Sequence, residues 1–433
     1  MVQNRSQAWS RKRRITVRLL LIIGGLLVGT LIAEIGFRIV GYDYPEFYRA
    51  DEHRGYALNP GVEGWYRKEG EAYIRINSEG LRDVEHSKQK PADTVRIAVL
   101  GDSYAEALHV PMENAFWSVL GTKLEECRSF GGKKIEVINF GVSGYGTAQE
   151  LITLRQKVWD YSPDIVVLAL TTANDISDNS RTLRKTNQIP YFIYREGQLV
   201  LDDSFKDTKQ FRLRRSVAGK VGAWMMKHLR IVQAMAQAVL LLHRSQRQPA
   251  QNSLSMMGMQ PSVSEPNFNG QPVRGEEPGI DNMIYLEPRN QAWNDAWRVT
   301  EGLIKLMRDE VKGKGATFVV VTLSTWIQLH PDLQGRRAFH ENVGATDLFY
   351  ADRRIKSLGE IEGIPVINLA QAMQAYADQH QVFLHGTIGG GHWNRLGHRI
   401  AGEMIARGVC DIKGKDPGNI PTLLMKSPAI HRH

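Results

Sequence analysis

RIAVLGDSYAEA, residues 96–107, runs from an unbroken apolar block into Gly-Asp-Ser and then into alanine and glutamate. A short apolar run without alternation reads as a strand covered on both faces. Four more follow it: KIEVINFG (134–141), DIVVLAL (164–170), ATFVVVTL (316–323) and IPVINLA (364–370). Helix-like stretches separate them, over 104–127 and in TAQELITLRQKVWDY (147–161). Buried strands alternating with helices predict an α/β fold with a five-stranded parallel sheet. In such a sheet ligands bind beyond the carboxyl ends of the strands. Ser103 stands at one of those ends, at the start of a helix whose N–H groups favour developing negative charge, so the position suits a nucleophile. Asp and Ser are equally ordinary N-caps at such a point.

The 433 residues, 42% of them hydrophobic, can bury a full core, either as two or three domains or as one large α/β domain with insertions. ITVRLLLIIGGLLVGTLIAEIGFRIV (15–40) holds an uncharged stretch from Leu19 to Ala33 between Arg18 and Glu34, long enough to span a bilayer once the flanking charges snorkel. Arg5, Arg11, Lys12, Arg13, Arg14 and Arg18 precede it or open it, so residues 1–14 are expected to be a cytoplasmic tail and the rest extracytoplasmic (periplasmic). A cleaved signal peptide and a buried soluble helix are the alternatives, and no A-x-A site follows the run. The net charge of +9 owes much to this cluster. No aromatic-interleaved basic stretch suggests nucleic-acid binding.

Residues 41–94 read as a stalk with a small β element. The α/β domain occupies 95–185 and resumes over 290–433, with an insertion at 186–289. Within the insertion, 212–244 read as one or two amphipathic helices, packed on the domain or lying on the membrane surface. Residues 245–283 are a Ser/Pro/Gln/Asn/Gly-rich tract expected to be disordered.

The polar signatures fall at strand ends. NFGVSGYGTAQ (139–149) places Gly141, Gly144 and Gly146 where exposed N–H groups could form an oxyanion site, although glycines in a turn are commonplace. TTANDISDN (171–179) brings the amide of Asn174 to the same rim, with an Asn-Asp turn as the plain reading. GGGHWNRLGHRIAGEMIARGV (389–409) supplies His392 as a candidate general base just before the last helix. His398, inside that helix, reads as a packing or capping residue. No H-E-x-x-H or cysteine pair at ligand spacing occurs, so no metal and no cofactor is expected.

The order of these blocks, strand-GDS, strand-G-x-x-G, strand-x-x-N-D and a late H-x-N, resembles the SGNH (GDSL) hydrolases over roughly 95–185 and 290–410. The resemblance implies a flavodoxin-like three-layer α/β/α fold. It also implies Ser103 as nucleophile, His392 as base, and an oxyanion hole from Ser103, Gly144 and Asn174. The anchor and RINSEGLRD (75–83) look like membrane-tethered members associated with cell-surface polysaccharides. Thr172 replaces the usual glycine of the third block, and Gly389 and Gly390 stand where the family's Asp precedes the histidine. A Ser-His dyad or a carboxylate from elsewhere must then orient the imidazole. Asp102, Asp175 and Asp178 lie near the rim without a clear assignment.

The implied activity is removal of an O-acyl group, acetyl above all, from a carbohydrate through an acyl-enzyme. An O-acyltransferase acting on a cell-surface polysaccharide and a non-catalytic polysaccharide-binding protein are the rivals. Expected partners are the bilayer through residues 15–40, the acylated carbohydrate and polysaccharide-assembly proteins. In a flavodoxin-like 2-1-3-4-5 order the first and last helices share a face, which would bring Cys127 and Cys410 together as a disulfide; two buried free thiols are the alternative. A reporter fused after Val40 is expected to be exported with the N-terminal tail protected, and the chain to resist carbonate washing. A shortened soluble product would instead identify a cleaved signal.

Overall fold

Continuous apolar strands need cover on both faces, and the computed structural model shows how it is provided. It describes residues 11–67, 69–239, 242, 282–386 and 391–414. Five strands, β1 (Thr94–Gly101), β2 (Lys134–Asn139), β3 (Ile165–Thr171), β4 (Thr317–Leu323) and β5 (Val366–Asn368), form one parallel sheet in the order β2-β1-β3-β4-β5. Alternate residues feed opposite cores. Ala98, Leu100, Val166 and Leu168 pack with Leu151, Trp297, Leu303 and Ile355 from helices Thr147–Gln156, Gln291–Gly313 and Tyr350–Glu362. Ile97, Val99, Val167 and Val321 pack with Leu120, Met373, Ile400 and Ile405 from Phe116–Glu125, Ala370–His380 and Arg395–Gly414. The result is a flavodoxin-like three-layer α/β/α body.

The first and last of these helices lie against each other because Gly402 carries no side chain: a Cβ there would sit 2.6 Å from the Phe116 carbonyl oxygen. Cys127 and Cys410 form a disulfide with Cα atoms 5.9 Å apart. Cys410 sits within the last helix.

Three stretches differ from expectation. The helix read over 104–127 is broken: a single turn, Ser103–Glu106, stops at Ala107 in the left-handed region (φ 51°), and after a 3-10 turn at Met112–Asn114 α-helix resumes at Phe116. Pro111 disfavours helical geometry at the residue before it, so the chain turns there. Inside the insertion, Tyr191–Arg195 and Gln198–Asp202 form an antiparallel hairpin across Glu196-Gly197, both at positive φ, a two-residue turn of the primed kind. The amphipathic stretch is three helical pieces, Lys209–Arg215, Val217–His228 and 230–239. Residues 245–281 of the expected disordered tract lie outside the described residues, and its last two residues open a 3-10 turn, Asn282–Tyr285.

Residues 48–76 do not form a spacer. Two hairpins, Tyr48–Asp51 with Gly55–Leu58 and Glu63–Tyr66 with Ala72–Arg75, share a small core of Phe47, Leu58, Ile74 and Ile76. That core packs on Leu108, Val142 and Tyr145, which follow β1 and β2, so this layer sits on the carboxyl rim of the sheet. The RINSEGLRD stretch clamps it there: buried Arg82 donates to the Val110 carbonyl (2.5 Å), and Asp83 accepts from the Asn139 N–H (2.8 Å). The helix Arg11–Ile39 is long and apolar enough to cross a membrane, and none of that apolar stretch is buried in the protein. Replacing Cys127 and Cys410 with serine should lower the unfolding free energy by about 2–4 kcal/mol, read by denaturant titration. An unchanged midpoint would mean that the bridge does not form.

Candidate active site

Ser103 begins the single helical turn after β1, with Asp102 as its N-cap through the Tyr104 N–H (3.0 Å). The Asp102 carboxylate is fully buried and also accepts from Thr171 Oγ1 (2.9 Å) and Asn174 Nδ2 (3.2 Å), tying the ends of β1 and β3 to one another. His392 reaches over from the loop before the last helix. Its Nε2 is 2.6 Å from Ser103 Oγ, and its Nδ1 is 2.5 Å from Glu69 Oε2. The structure thus brings together a serine, an imidazole and a carboxylate in one hydrogen-bonded chain.

Glu69 was absent from the sequence expectations. Neither Gly389 nor Gly390, which lie outside the described residues, nor the rim aspartates supply the acid. Asp102 holds Tyr104, Thr171 and Asn174; Asp175 accepts from the Thr171 N–H (2.7 Å); Asp178 pairs with Arg184. Glu69 instead comes from the tip of the second N-terminal hairpin, which the small core places against the rim. Only that tertiary packing distinguishes it from neighbouring Glu63 and Glu71, both engaged by surface arginines.

The electrostatics agree with this order. Burial alone would lower the His392 pKa, but the hydrogen bond and charge of Glu69, with Asp102 and Glu106 behind, raise it above the ordinary histidine value. Glu69 moves the opposite way: burial opposes the change, yet His392 holds it at about 2. The other nearby rings stay neutral. Burial, followed by the His392 charge, pushes His109 to about 4 and His385 to about 3. His398 is buried and accepts from the Phe116 N–H (3.3 Å), in keeping with a capping role.

Among the described residues, the backbone N–H groups of Ser103 and Gly144 donate to no acceptor. Gly144 adopts φ +72°, a conformation that favours glycine, and a Cβ there would lie 2.8 Å from the Tyr56 hydroxyl. Asn174 lies at the carboxyl rim, just after β3. Its amide nitrogen is engaged by Asp102 and by Asp178 (3.3 Å), so donating to an oxyanion requires letting go of one of them. The Thr172 hydroxyl donates to the Leu323 carbonyl (3.1 Å).

Beneath the site lie further carboxyl groups. Burial, then neighbouring acids, raise Glu150 and Asp175 well above the usual carboxylate range. Glu69, His109 and His392 also present ligand atoms within 4.8 Å of one another, a cluster that spacing in sequence did not reveal. A cation there would have to displace the proton between Glu69 and His392, and with it the base.

No family model matches the chain, and no curated protein matches it. Among solved structures it is similar to an acetyl xylan esterase, AlAXEase, at 12% identity over 73% of this chain and all of that one (TM-score 0.37). It is also similar to a catalytic mutant of the acetylxylan esterase Axe2 from Geobacillus stearothermophilus, at 13% identity over 75% and 95% (0.34). A third is a lipase/acylhydrolase from Enterococcus faecalis, at 14% identity over 75% and 100% (0.34). Likenesses of this size carry no argument about residue roles, which rest on the geometry above.

Replacing Glu69 with glutamine should lower the His392 pKa by roughly one unit or more, because the charge that favours the imidazolium is gone. An NMR titration of the ring reads this directly. An unmoved His392 would show that Glu69 is not its partner in solution.

Proposed function

We propose that the protein is a serine esterase of the SGNH type, held in a membrane by helix Arg11–Ile39. Its extracytoplasmic domain would remove an O-acyl group, most plausibly acetyl, from a carbohydrate. The observation that carries the reading is the Ser103–His392–Glu69 chain at the carboxyl rim of the sheet.

The chemistry follows from the contacts. Ser103 Oγ attacks the ester carbonyl carbon as His392 Nε2 takes the hydroxyl proton, and Glu69 stabilises the resulting imidazolium through Nδ1–H. The carbonyl oxygen, now negative, is received by the Ser103 and Gly144 N–H groups, with Asn174 as a third donor once it turns from Asp178. The imidazolium then protonates the departing alcohol oxygen, which leaves an acyl-Ser103 ester. A water molecule, deprotonated by the same imidazole, attacks that ester. The acid leaves, and the proton returns to Ser103. If a sugar hydroxyl replaces water in the second half, the same residues perform acyl transfer, so O-acyltransferase is the alternative within this site. A non-catalytic polysaccharide binder would not need the imidazole poised 2.6 Å from a serine hydroxyl.

A fluorophosphonate probe should label Ser103, and Ser103→Ala should abolish both labelling and hydrolysis of p-nitrophenyl acetate. His392→Ala should behave nearly the same, while Asn174→Ala should lose roughly a hundredfold or more. Full activity in the serine variant would end the esterase reading. Because the base must be neutral, kcat/KM should fall as the pH drops through a His392 pKa raised above the ordinary value. In Glu69→Gln that acid limb should move to lower pH at reduced rate. Acylated sugar formed at the expense of free acid when sugar acceptors are added would favour the transferase.

A further inference from the structure

The insertion between β3 and β4 is joined to the apolar N-terminal helix, not only to the α/β body. Helices Val217–His228 and 230–239 meet at an elbow, Leu229. The buried Glu34 carboxylate of the N-terminal helix caps the second of them, accepting from the Arg230 N–H (3.1 Å) and the Ile231 N–H (3.0 Å). Arg38 bonds Glu34 (2.9 Å) and the His228 carbonyl (3.0 Å), and buried Gln233 accepts from the Tyr44 N–H (3.1 Å). Glu34 lies five residues before the helix ends at Ile39, or about 7.5 Å along its axis at 1.5 Å per residue. The elbow is therefore held within the outer end of the apolar helix, not beyond it.

Both elbow helices turn an apolar stripe outward. Val217, Val221 and Trp224 follow one another at helical spacing on the first, and Met235 and Val239 on the second, each more than half exposed. In sequence this region carries one sign: no Asp or Glu occurs between Asp207 and Glu265, while Lys220 and Lys227 fall on the first elbow helix and Lys209, Arg212, Arg214 and Arg215 on the helix before it, where Arg212 pairs with Asp207 and Arg215 with Glu52.

We propose that these two helices lie in the interfacial layer of an anionic phospholipid bilayer beside the N-terminal helix, with the stripes among the upper acyl chains and the basic residues among the headgroups. Three observations select lipid as the occupant. The stripes are exposed on helices whose elbow is bonded to the N-terminal helix, that helix is itself apolar and unburied, and the excess of positive charge suits anionic headgroups. A second copy of this surface would set like charges against each other. The capping of Glu34 fits the same placement, since a carboxylate at that depth needs partners. The proposal rests on reading Arg11–Ile39 as a bilayer span. Lipid would then hold the domain at two points, so that its orientation relative to the membrane is restrained.

The test uses the full chain in vesicles of phosphatidylethanolamine and phosphatidylglycerol, with and without lipids brominated at acyl carbons 6 and 7. Subtracting the emission of Trp224→Phe from that of the wild type isolates Trp224. The bromolipid should quench this component by roughly half or more, and Val221→Glu/Val239→Glu should shift it to longer wavelength without altering turnover of a soluble ester. An unquenched Trp224 in a chain that resists carbonate washing would overturn the proposal while leaving the anchor intact. An unquenched Trp224 in a chain cross-linked as a dimer through these helices would replace lipid with a second copy. Release of the chain by carbonate would overturn the anchor and this inference together.

Discussion

A single buried carboxylate organises the rim. Asp102 accepts from the N–H of Tyr104, the hydroxyl of Thr171 and the amide of Asn174, so the turn that presents Ser103 and the loop after β3 cannot move independently. Burial raises its pKa, while the three donors and the nearby His392 favour its charged form. Removing such a group would strand several buried donors at once, and each stranded donor costs more than an ordinary hydrogen bond contributes. The candidate site is built outward from this knot: Ser103 one residue on, the Gly144 turn beside it, and the His392 imidazole facing it.

The second constraint is how the imidazole is oriented. In this chain the carboxylate comes from an N-terminal layer, not from the loop that carries His392. That layer is held on by apolar contacts of Ile74 and Ile76 with Leu108 and Val142, and by polar ties from Tyr48 to Glu106 (2.8 Å) and from Tyr56 to the Ser143 carbonyl (2.8 Å). Glu106 is itself pushed up to about 7 by burial, against the pull of Ser143 and Tyr48. The His392 imidazole is therefore only as well oriented as this layer is well docked, and mutations far from Ser103 at that interface act on His392 through Glu69.

The sheet could be read from sequence because strands such as IVVLALT have no polar face and sit between helices with one. Ser103 and His392 could be read from their places relative to those strands. Glu69 could not: it lies in a charged loop between two four-residue strands, and what singles it out is where that loop docks. The insertion hairpin carried a usable signal, Glu196-Gly197 between two runs rich in apolar and aromatic residues, which compositional reading of the insertion as helix plus tract passed over. The break at Ala107 was masked by the helical propensity of its alanine-rich surroundings, although Pro111 marked it. Asn174 was identified by position, but its two acidic neighbours become visible only when the loops fold together.

The chain separation of the reacting groups has a consequence for biosynthesis. Ser103 and His392 are 289 residues apart, and Glu69 and His392 are 323 apart. At roughly 5–20 residues per second, the serine leaves the ribosome about 15–60 s before the histidine does. During that interval the nascent chain holds a hydroxyl and a carboxylate with no base between them. Such long-range pairing is also slow to form. The Ser103–His392–Glu69 chain is therefore completed only when the segment before the last helix has been made, and the esterase activity proposed for it would be absent from an unfinished chain.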